Sequence, residues 1–167
     1  MGPELTLQHS EDHDVFETIE QVLEGFGWHY ERDGYDTMQC ILPTRWGEMG
    51  CMFASRLEPV AMHYSLTLDV KPQEAKKTLI RELILLMNER LWLGHFDYWQ
   101  EDQVIIFRHT LPLLGRLSVT PGEIQSLMQA ALDAAERFIP AFNFVVWAGK
   151  SPAEALEAVM FETDGEA

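Results

Sequence analysis

Five side chains hold most of the chemistry that this chain offers: His63, His95, Asp97, Arg108 and His109. Imidazoles titrate near neutral pH, and a histidine beside a carboxylate can shuttle a proton as a general acid or base. All five fall in stretches that alternate like strands of one sheet. Those that share the face turned away from a covering helix would line a polar groove. The plainer alternative is a set of cross-strand polar pairs on a wet sheet face.

Other templates fail for identifiable reasons. The six histidines stand at positions 9, 13, 29, 63, 95 and 109, with no Cys-x-x-Cys and no His-x-x-x-His on one helix, so zinc is not indicated. Gly149-Lys150 lacks the glycine-rich loop that cradles phosphates, and no serine sits in a nucleophile elbow. His9, Asp12 and His13 have no downstream partner to complete a ligand set, and read as part of a loose acidic arm over residues 1–14. The chain is therefore expected to be non-enzymatic, with no catalytic, metal-binding or cofactor-binding residue.

Charge and composition narrow the partners. A formal net charge of −15 repels phosphates, which argues against a nucleic-acid duplex or an anionic membrane surface. No apolar run reaches the ~18 residues of a membrane span. The start shows no basic stretch followed by an apolar one, so a cytoplasmic location is expected. In a reducing compartment Cys40 and Cys51 read as small buried hydrophobes rather than a disulfide. The 167 residues suit one domain, expected over 15–163, ahead of an acidic tail at 164–167.

The positioning elements follow from periodicity. Val15, Phe16, Ile19, Val22, Leu23 and Phe26 make a first helix, with Asp14 as its cap and Gly25 and Gly27 as its stop. Four strands come next, at Trp28–Arg32, Met38–Leu42, Cys51–Ser55 and Ala61–Asp69, turning at Asp33-Gly34, Trp46-Gly47-Glu48 and Glu58-Pro59. Met62, Tyr64, Leu66 and Leu68 share one face of the last of these, which predicts an antiparallel sheet with one buried side. A hairpin over His95–Gln100 and Gln103–Pro112 turns at Glu101-Asp102, with Ile105, Phe107, His109 and Leu111 placed inward. Thr120-Pro121-Gly122-Glu123 opens a long helix as a capping box, Pro140 is expected to kink it at the Glu136 carbonyl, and Phe144–Trp147 reads as its continuation rather than a strand. Ser151 to Glu154 caps a last short helix.

Between the two sets of strands lies the element that the rest is organised around, a helix starting near Gln73 and running to Trp92. Leu79, Ile80, Leu83, Ile84, Leu86, Met87 and Leu91 cover about half its circumference at ~100° per residue, while Leu85 and Trp92 fall together on another side. Two apolar sides call for two neighbours, the sheet and a second helix, from this chain or from a second copy. Leu85, Trp92 and the turn residue Trp46 are accordingly the candidate interface residues, tryptophan being enriched where surface is buried on assembly. Within Asn88-Glu89-Arg90, an arginine–carboxylate pair is expected to fix how helix and sheet dock.

The segments Arg45-Trp46-Gly47, Asn88 to Phe96 (NERLWLGHF), Phe107-Arg108-His109, Pro140-Ala141-Phe142 through Trp147, and Gly149-Lys150-Ser151-Pro152-x-Glu-Ala resemble the YbjN family, described as "putative bacterial sensory transduction regulators". The resemblance runs from about Val15 to Thr163. It implies a fold like that of type III secretion chaperones: α+β, a twisted antiparallel sheet with helices packed on it, in the order α-β-β-β-β-α-β-β-α-α, commonly dimeric. Those chaperones are small and acidic and bind extended segments of other proteins. The family brings no catalytic residues to carry over. The expectation is a homodimer with an unknown protein partner, acting as a regulator or chaperone-like module through an exposed apolar groove or sheet edge. The alternative is a small-ligand sensor, with its ligand between the polar sheet face and the kinked C-terminal helix.

Overall fold

The computed structural model describes residues 14–116 and 118–164. Apart from Asp14 and Asp164, the expected arm and tail lie outside the described residues. The order is α1 (Val15–Phe26), β1 (Tyr30–Asp33), β2 (Thr37–Thr44), β3 (Gly47–Leu57), β4 (Val60–Leu68), α2 (Lys77–Asn88), β5 (His95–Trp99), β6 (Val104–Pro112), α3 (Pro121–Val146) and α4 (Pro152–Asp164), as expected. All six strands form one antiparallel sheet in the order β1-β2-β3-β4-β6-β5. α2 carries the chain past the place that β6 will fill, and the β5–β6 hairpin turns back into it.

Helix ends obey local chemistry. The Phe16 amide donates to Asp14 Oδ1 at 3.0 Å, and Gly27 closes α1 at φ 69°. Thr120 and Glu123 make the reciprocal capping box of α3, and Ser151 and Glu154 exchange the same pair of bonds before α4. One sheet face is lined by Met38, Cys40, Leu42, Cys51, Phe53, Met62, Tyr64, Leu66, Ile105 and Phe107, all buried under the helices. Phe96 of β5 meets Phe107, Phe138 and Phe142 edge to face at 5.5, 5.9 and 5.5 Å between ring centroids. This cluster locks β5, β6 and α3 together.

Two expectations change. α2 ends at Asn88, after which the Arg90 amide reaches back only to the Met87 carbonyl and the Leu91 amide only to that of Asn88. Such i→i+3 bonds tighten a last turn and end it, so Trp92 stands on the following loop and not on the helix with Leu85. The docking pair is not arginine with a carboxylate, since Glu89 and Arg90 are exposed. Asn88 docks instead: its Oδ1 accepts from the Phe96 amide at 2.8 Å and its Nδ2 donates to the Phe96 carbonyl at 3.0 Å. α3 is one continuous helix through the expected kink position at Pro140. Proline leaves the Glu136 carbonyl without its helical donor, and the indole N–H of Trp46 donates to that carbonyl at 3.2 Å. The Arg45 amide also donates to Glu136 Oε1 at 3.0 Å, so the β2–β3 turn is pinned to α3 at the proline.

Gly94 is the residue that lets the chain turn from α2 into β5. Its φ is +68°, and an added Cβ would lie 2.3 Å from Phe107 Cζ and 2.9 Å from the Arg108 carbonyl. Only glycine fits there without displacing the core.

Candidate functional site

The strand register assembles the outer face of the sheet, opposite the helices. One row runs Glu31–Gln39–Met52–Ser65–Arg108–His95 across all six strands. Next to it, Ile41 pairs with Gly50, Thr67 with Ile106, and Ile106 with Asp97. His63 pairs with Thr110 on the other side of the first row. Four of the five expected polar residues therefore share this face.

Arg108 is the hub of the polar end. Its Nε donates to His95 Nε2 at 3.0 Å, and its guanidinium lies 3.3 Å from Asp97 Oδ2. Because His95 Nε2 accepts, the neutral ring carries its proton on Nδ1. Burial and then the charge of Arg108 lower the His95 pKa, against an opposing pull from Asp97. Burial, Arg108 and His95 lower that of His63, whose Nδ1 lies 3.0 Å from Thr110 Oγ1. The arginine is matched by Asp97, and both imidazoles are held toward neutrality, so this end is a satisfied polar network.

His109 does not join it. It pairs with Tyr64, whose ring is in the core, so it points to the helical side. There its Nδ1 is buried without a hydrogen-bond partner, and burial lowers its pKa. Arg108 and His109 are consecutive in a strand and must face opposite ways. The same parity removes the expected ligand site between the polar face and the C-terminal helix. α3 packs on the Phe96 side of β5, whereas His95 and Asp97 point to the other.

Beyond the polar end the outer face is hollow. A groove of about 540 Å³ takes lining from every strand, including Glu31, Ile41, Gly50, Met52, Ile106 and Trp99, and no helix contributes. That volume lies within the ~300–1,000 Å³ of ordinary binding clefts. Ile106 is only 2% exposed although no helix covers this side, and Ile41 at the β2 end is 40% exposed. Gly50 sits in the middle of the floor, where an added Cβ would meet nothing within 4 Å. A glycine inside a strand weakens the strand, and commonly marks a place that something must approach closely. The floor escapes sequence reading because Ile41, Met52 and Ile106 are single apolar residues on separate strands; Gly50 was the one local signal.

The sheet edges are guarded. On β5 the Phe96 amide is taken by Asn88, and the Tyr98 amide donates to Asp97 Oδ1 at 2.9 Å. β1, the opposite edge, is four residues long and carries exposed Glu31, Arg32 and Asp33, with Arg32 held by Asp14 and Glu20. Short, charged or side-chain-capped edges resist addition of a further strand.

The expected interface residues separate. Leu85 on α2 is 68% exposed and Trp92 on its loop is 100% exposed. Trp46 is 47% exposed, but its indole N–H is committed to α3 within the chain. Among the described residues no group of three His, Cys, Asp or Glu could hold a metal ion, and no helix is long and apolar enough to cross a membrane.

A family model, YbjN, with the description "Putative bacterial sensory transduction regulator", matches residues 16–144. Among solved structures, the chain is similar to one titled "Crystal structure of YbjN, a putative transcription regulator from E. coli", at 11% identity and a TM-score of 0.51, over 88% of this chain and 93% of that one. At such identity the likeness speaks for the fold alone. No curated protein sequence matches the chain.

Proposed function

The chain belongs to the YbjN family, and on that premise we propose that it is a cytoplasmic, non-enzymatic regulator that works by holding a segment of another protein in the hollow on the outer face of its sheet. The observation that carries this reading is the uncovered groove of about 540 Å³, with Gly50 at its centre and apolar side chains from separate strands around it. The guarded edges favour the face over strand addition as the mode of capture, because β5 offers no free amide at Phe96 or Tyr98. The polar end, already satisfied internally, orients a segment rather than activating a bond.

A second copy of the chain is assigned to the helical side. Leu85 and Trp92 support this, being large, apolar and exposed where nothing in the described chain covers them. Light scattering across a dilution series is expected to show a dimer that Trp92→Glu splits, and a wild-type monomer would remove this assignment.

The groove is tested by a photo-crosslinking amino acid placed in living cells at position 41 or, separately, at position 85. Position 41 is expected to trap a different protein and position 85 another copy of the chain. Heterologous partners trapped only from position 85 would move the site to the helices.

A further inference from the structure

We infer that the segment received by the hollow is cationic as well as apolar: an extended stretch in which lysine or arginine alternates with large apolar side chains. This inference rests on the reading of the outer face as a protein-binding site, and adds the chemistry of the occupant.

Charge complementarity supports it. Glu31 at the β1 side and Asp102 at the β5–β6 turn both line the groove, and no lysine or arginine does. Arg108, paired in register with the lining residue Ser65, is matched by Asp97 at 3.3 Å. Glu48 faces the same way as Gly50 and Met52, two and four residues along β3, and is exposed. The whole chain carries −15, so the field at the mouth of the groove is negative from near and far. An anionic segment would meet Glu31 and Asp102 there, with only His29, 4.0 Å from Glu31 Oε1, to offset them, whereas a cationic one would find a carboxylate at both ends.

The dimensions set the probe. Strands lie ~4.8 Å apart, so crossing the sheet from β1 to β5 covers roughly 24 Å, and an extended chain at ~3.3 Å per residue needs about seven residues to span it. Period-two alternation turns every second side chain to the floor of Ile41, Met52 and Ile106 and the others to the rim. The floor selects apolar groups and the rim selects charge.

The experiment uses three synthetic nine-residue peptides with the same alternating leucines and either lysine, serine or glutamate between them. Binding to the full chain is measured by calorimetry at low and high salt. The lysine peptide is expected to bind about tenfold more tightly than the serine peptide at low salt, the difference coming from two exposed ion pairs. High salt should erase that difference. Glu31→Gln with Asp102→Asn should erase it too, while Gly50→Val, which fills the floor, should abolish binding of every peptide. Ile41→Glu serves as a second blocking variant should Gly50→Val alter the fold.

If all three peptides bind equally and Gly50→Val or Ile41→Glu abolishes each, the cationic inference is overturned while the groove stands. A glutamate peptide that binds best overturns it as well. If no peptide binds, or if binding ignores both blocking variants, the groove reading falls and takes this inference with it.

Discussion

Replacing Asn88 with alanine removes both bonds that tie the end of α2 to β5, at 2.8 and 3.0 Å. Each hydrogen bond of this kind is worth about 1 kcal/mol net, and a half-buried group left without a partner costs somewhat more. Alanine recovers about 0.5 kcal/mol through its better helix propensity. The net loss is therefore about 1–2.5 kcal/mol, a sizeable fraction of the roughly 5–15 kcal/mol that holds a domain together. Urea unfolding reads the loss as a lower midpoint at unchanged slope. Amide exchange localises it: the Phe96 amide should exchange faster, while the Tyr98 amide, still bonded to Asp97, should not. Asn88→Asp sharpens the test. It keeps an acceptor for the Phe96 amide but sets a carboxylate oxygen against the Phe96 carbonyl, so it should not restore stability at neutral pH. An Asn88→Ala chain with an unchanged midpoint and unchanged Phe96 exchange would refute the view that this amide docks and guards the edge.

Gly94→Ala should cost about 2–4 kcal/mol in urea unfolding, combining left-handed strain of ~1–2 kcal/mol with overpacking against Phe107. Trp46→Phe should cost about 1 kcal/mol through the lost indole bond to Glu136. In a Pro140→Ala background that cost should nearly vanish, because the new amide supplies the carbonyl itself; a double-mutant cycle measures the coupling. Stability should fall on acidification. His63, His95 and His109 all have pKa values below the ordinary 6.5, so the unfolded chain takes up protons first and stability drops as pH falls below that value. Glu123, lowered from 4.5 by its hydrogen bond from Arg116 and then by the Thr120 cap, and Glu154, lowered by its bonds from Ser151, add a loss of the same sign further down. The urea midpoint is expected to decrease from pH 7.5 to 5.5, and His95→Gln to flatten that part of the curve.

Much of the architecture was legible because it is written locally. Asp14, Thr120 and Ser151 announce helix starts through their own side chains, and the alternation of Met62, Tyr64, Leu66 and Leu68 declares a half-buried strand. What escaped depends on residues far apart in the chain. The freed carbonyl at Glu136 follows from Pro140, but nothing local says that Trp46 will reach it. Glu89 and Arg90 stand out in the sequence by their charge, whereas the neutral Asn88 matches a peptide's donor and acceptor at once. The site was half legible: parity alone separates Arg108 from His109. It cannot say that Met52, Ser65 and Arg108 form one row, which requires the register across β3, β4 and β6.

Methyl-resolved NMR of the chain labelled at isoleucine, leucine and methionine, titrated with the lysine-bearing peptide, tests the occupied face most directly. Shifts at Ile41, Met52 and Ile106, with Leu85 silent, are the expected result. Shifts at Leu85 with the sheet methyls silent would contradict it, and would place the binding surface on the helical side.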